Sequence, residues 1–73
     1  KKLKFENIVP GSIIQIYTIS GETVETIYAQ NIICYWDGKN RYGKKVSPGI
    51  YLFTITNKET GKIKKGRIFV LNY

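Results

Sequence analysis

Glycines at positions 11, 21, 38, 43, 49, 61 and 66 and prolines at 10 and 48 leave no long window free of helix-interrupting residues in a chain of 73. A helical reading therefore fails, and the intervals between these residues are the length of strands. Residues 2–7 alternate apolar and polar around Leu3 and Phe5 and then meet Pro10-Gly11, a turn pair. Residues 12–19 are rich in Ile, with Ile14 and Ile16 on one face and Ile13, Gln15, Tyr17 and Ile19 on the other. Ser20-Gly21 permits a tight turn, and residues 23–28 return as a β-branched strand, so 12–28 is predicted as a hairpin.

Residues 31–36 read as a fourth strand, holding Ile32, Ile33, Cys34, Tyr35 and Trp36, with Cys34 as a small buried hydrophobe. Residues 37–49 read as a loop. Residues 50–57 alternate again, with Tyr51, Phe53 and Ile55 on one face and Leu52, Thr54 and Thr56 on the other. The short connection through Gly61 predicts an antiparallel pairing with a last strand that carries Ile63 and then residues 67–71. Six short strands with no helix between them predict an all-β protein, a sandwich or small barrel. The tyrosines are expected as half-buried strand residues.

The length allows one domain, residues 1–73. Surface scaling predicts roughly 12,000 Å² for the unfolded chain and roughly 4,600 Å² folded, so burial is modest and stability marginal. The chain opens Lys1-Lys2-Leu3 and contains no Met, which predicts a piece of a longer protein. No apolar run approaches the ~20 residues of a spanning helix. One Cys excludes a disulfide framework, and the lack of His removes the usual zinc and His-based catalytic chemistry. The single Asp lies in the loop, and Glu22 and Glu25, three apart, point to opposite faces, so no catalytic pair, no metal site and no cofactor are expected.

The loop has a physical reading of its own. Trp36 at a strand end can close the space between two sheets, and Asp37 can accept N–H groups of the following turn. Gly38, Asn40 and Gly43 suit left-handed backbone, and Pro48-Gly49 suits a type II turn leading to Tyr51. Each of these residues shapes a corner. Asp37 with Asn40 offers too few oxygens for calcium, which wants six to eight.

Residues 36–51, with Trp36-Asp37-Gly38, Asn40, Gly43, Val46 and Gly49-Ile50-Tyr51, resemble a pattern of the immunoglobulin-like domain of the flagellar hook-capping family and of the related C-terminal sorting domains of type IX secretion. The segments 14–24 and 65–70 resemble that family's hairpin and closing strand. The resemblance implies an immunoglobulin-like antiparallel β-sandwich of six to seven strands. It also implies a non-catalytic C-terminal module of a secreted or cell-surface bacterial protein, joined to domains N-terminal to it and serving export, surface attachment or assembly. Family members open with a further strand, often introduced by Asn-Pro. No such strand is visible ahead of Lys1: either this stretch of sequence leaves it out or another chain supplies it, and the expectation is a sheet edge filled by another chain or covered by a neighbouring copy, as in a self-assembling cap or filament subunit.

Charge points to a second reading. Twelve Lys and Arg against five Asp and Glu give +7, and Lys39, Arg41, Lys44 and Lys45 lie together in the loop. These four are candidate contacts for a polyanion, as in a carbohydrate- or polyanion-binding accessory module of an extracellular enzyme. No ribonucleoprotein or oligonucleotide-fold signature accompanies them, which disfavours nucleic acid. The plainer reading is that lysines keep strand edges soluble.

Overall fold

Alternating side chains and glycine-bearing turns resolve into six strands and no helix among residues 2–71, the part of the chain that the computed structural model describes. They are β1 (Leu3–Phe5), β2 (Ile13–Tyr17), β3 (Thr23–Tyr28), β4 (Cys34–Trp36), β5 (Gly49–Thr56) and β6 (Ile63–Val70). All pairings are antiparallel. One sheet has four strands in the order β3-β2-β5-β6, and the other pairs β1 with β4. No helix of the described residues is long and apolar enough to cross a membrane.

The two sheets pack through a shared core. Phe5 and Trp36 come from the small sheet, and Ile14, Ile16, Tyr51 and Ile68 from the large one. Ile14 and Ile16 are fully buried, as their shared face predicts. Phe5 meets Phe53 edge-on with centroids 5.3 Å apart, and Trp36 meets Tyr51 at 6.2 Å. Such edge-to-face pairs add to the burial of the rings themselves. Two strands cannot cover four, however. The accessible surface is 5474 Å², above the roughly 4,600 Å² expected for this mass, which leaves little stability in reserve.

Turns fall where the sequence places them. Ser12 N donates to Val9 O across Pro10-Gly11, with Gly11 at φ 95°, a type II geometry. Gly21 N donates to Thr18 O, and Gly21 takes φ 96°. Strand lengths differ from expectation at three places. The first strand stops at Phe5 because Asn7 turns left-handed at φ 57°, after which Ile8 N donates to Ile32 O. The fourth begins only at Cys34, because the residues before it carry the chain from one sheet to the other. Ile32 and Ile33 are therefore exposed, and Cys34 is half-buried, with its thiol toward Asn31 O at 3.6 Å. The last strand runs unbroken through residues 64–66.

A bulge marks the β2–β3 hairpin. Ile16 pairs with Glu25 but Tyr17 pairs with Thr23, leaving Val24 extra. Its side chain drops into the core, and its carbonyl, freed from the ladder, accepts Arg41 N at 2.9 Å. The bulge thus ties the loop after β4 to the large sheet.

Candidate functional site

The segment between β4 and β5 is not an irregular loop. Lys39 and Lys45 form an antiparallel bridge, Asn40 N donates to Lys44 O, and Gly43 N donates to Asn40 O, so residues 39–45 make a small hairpin. The Trp-Asp-Gly stretch serves this corner through its side chains and through Gly38 O, which accepts Val46 N at 3.0 Å. Trp36 Nε1 donates to Lys39 O at 2.8 Å, and Asp37 Oδ1 accepts Lys39 N at 3.0 Å. Asn40 Oδ1 accepts from both Tyr42 N and Lys44 N, at 2.9 and 3.1 Å. Tyr51 Oη donates to Ser47 O at 2.7 Å and closes the corner against β5.

Two expectations for this corner need correction. Gly38 and Gly43 are left-handed, but Asn40 is not: its amide oxygen, not its backbone, bends the chain, by gathering two N–H groups. Gly49 has positive φ, yet at 150° it lies outside the type II range of about 80° and already opens β5. The oxygens of Asp37 and Asn40 named above are engaged by backbone donors, and no cluster of metal-ligating side chains occurs among the described residues.

The Tyr51 hydroxyl offers a direct test of the corner. Tyr51→Phe keeps the packing against Trp36 but leaves Ser47 O without its donor, so stability should fall by about 1 kcal/mol. The change should appear as a lower urea midpoint at unchanged slope. An unmoved midpoint would show that the hydroxyl contributes nothing.

The four candidate cations are all exposed, and the structure brings them onto one hairpin. Lys39 and Lys45 are directly opposed, a like-charge arrangement that costs stability. Among the described residues the one ion pair joins Lys4 Nζ to Glu6 at 3.4 Å, far along the chain from this hairpin. Tyr17 is half-buried as predicted and Tyr73 lies outside the described residues, but the other four tyrosines depart from half-burial. Tyr42 is 78% exposed at the hairpin tip, Tyr28 70% and Tyr35 54% exposed, while Tyr51 is buried. The Arg41 guanidinium carbon lies 5.7 Å from the Tyr42 ring centroid. Alternation alone could not have found Tyr42, because it sits at a turn and belongs to neither face of a strand.

Two concave regions flank the corner. A groove of about 250 Å³ opens between the sheets on the side of β6, lined by Leu3, Trp36, Val46, Ile68 and Val70. A broader cleft of about 620 Å³ lies between the β2–β3 turn and the basic hairpin, lined by Glu22, Thr23, Arg41, Tyr42, Lys45 and Ser47 among others. Lys45 stands at both.

Comparison of the chain with family models, with curated proteins and with solved structures returns no match.

Proposed function

We propose that the chain is a non-catalytic, immunoglobulin-like module, C-terminal in a larger secreted or cell-surface bacterial protein, which serves export, surface attachment or assembly. One observation carries this reading: the Trp36, Asp37, Asn40 and Tyr51 side chains make hydrogen bonds to the backbone that build a corner between two sheets. Side chains committed in this way hold a shape. The open flank supports an assembly role. β6 is eight residues long and paired on one side only, beside a groove of mixed polar and apolar lining that runs to β1 and β4. An extended segment of the parent protein or of a second copy fits there by strand addition, with main-chain hydrogen bonds for affinity and the groove for alternate side chains.

Fusion of the 73 residues to the C-terminus of a reporter carrying a periplasmic export signal tests the sorting role, in a bacterium with a working type IX system. The reporter should become accessible to protease on intact cells, and disrupting the corner with Trp36→Ala should return it to the periplasm. A reporter that stays periplasmic with the unaltered module would end the sorting role.

A further inference from the structure

The basic hairpin carries charge that the rest of the fold does not answer. Lys39 and Lys45 face each other across a bridge, Arg41 and Lys44 lie between them in the chain, and the only ion pair among the described residues is elsewhere. The hairpin is also rigid where it matters, because Asn40 Oδ1 holds its tip and Val24 O holds Arg41 N. These bonds fix the backbone from which the four cations project, so their attachment points keep their spacing when an anion arrives.

The adjoining cleft supplies the rest of a binding site. Arg41, Tyr42, Lys45 and Ser47 come from the segment between β4 and β5, and Glu22 and Thr23 from the β2–β3 turn. The Tyr42 side chain is 78% exposed with the Arg41 guanidinium over one face of its ring, which leaves the opposite face for the C–H face of a sugar. We propose that this cleft binds an acidic polysaccharide: carboxylates meet Arg41 and Lys45, one pyranose ring stacks on Tyr42, and sugar hydroxyls meet Thr23, Ser47 and Glu22. This site is independent of the sorting role.

One feature favours a glycan over a nucleic acid. A nucleic-acid strand is held by stacking successive bases on several aromatics, and the cleft presents one exposed ring.

Titration of the 73-residue protein with oligogalacturonate at low salt, by calorimetry and by amide chemical shifts, tests the assignment. The oligomer should bind with an affinity that falls as salt rises, and shifts should centre on residues 22–23, 41–47 and not on β6. Tyr42→Ala, Arg41→Gln and Lys45→Gln should each weaken binding about tenfold, the scale of one lost stacking or charge-assisted contact. Thermal melts should stay near that of the unaltered protein, since the three side chains are exposed. Lys64→Gln with Lys65→Gln removes two charges from β6, one more than either hairpin charge variant, and should change affinity less than twofold. The proposal is overturned by absent binding at low salt, by an equal loss in the β6 variant, by equal affinity for a neutral cello-oligosaccharide, or by tighter binding of a single-stranded oligonucleotide.

Discussion

Trp36→Ala is expected to unfold the protein at room temperature. Trp36 is 2% exposed, packs edge-on against Tyr51, and donates its indole N–H to Lys39 O. Truncation to Ala opens a large cavity at the point where the small sheet meets the large one, at a cost of about 3–5 kcal/mol. A chain of this size whose small sheet covers only part of the large one has about that much to lose. The indole bond adds a second consequence. Without it Lys39 O loses its donor, and the hairpin loses one of its ties to the core. Trp36→Phe separates the two effects, since it keeps most of the ring contact and removes the N–H. Denaturation followed by far-ultraviolet circular dichroism should show no cooperative transition for the Ala variant and a lowered, cooperative one for Phe. A folded Ala variant with a barely shifted transition would place Trp36 at the periphery of the energetics.

Gly66→Ala should destabilise by about 2 kcal/mol although its backbone would tolerate any residue, since overpacking typically costs 1–3 kcal/mol. Gly66 does not have a positive φ, so conformation alone does not demand glycine. Its partner across β5–β6 is Phe53, whose ring lies over it: a Cβ at Gly66 would sit well inside van der Waals contact with ring atoms Cε2 and Cζ. That ring cannot swing away freely, because it is stacked edge-on against Phe5 in the other sheet. Relief of unfolded-chain entropy favours Ala by about 0.4–1 kcal/mol, less than the displacement of a packed aromatic costs. A double-mutant cycle checks the mechanism. In a Phe53→Leu background the Gly66→Ala penalty should largely vanish, an interaction well above the limit of additivity for independent sites. An equal penalty in both backgrounds would refute the ring-over-glycine account.

Strand identity and turn placement were legible in the sequence because both are local. Period-two alternation put Ile14 and Ile16 on the buried face, and Pro10-Gly11 and Ser20-Gly21 marked turns whose positive φ glycine takes without penalty. The structural role of Trp36, Asp37 and Tyr51 was also visible, since a large ring at a strand end and a carboxylate before glycine suit a corner. Strand ends were less legible. Asn7 ends β1 by a left-handed turn that its identity permits but does not require.

Partnership across the fold was decided by tertiary structure alone. Nothing local pairs β1 with β4 or inserts β5 beside β2, because those neighbours are chosen by which faces bury one another. The bulge at Val24 follows the same logic: the side chain gains burial by leaving the alternation, and its released carbonyl then captures Arg41 N. That capture turns a cluster of basic residues, readable in the sequence only as charge, into a rigid hairpin beside a cleft. Sequence neighbourhood put the cations and the tyrosine together; only contacts between residues distant in the chain set them against the β2–β3 turn, because a strand's pattern specifies what it hides and not what it hides it against.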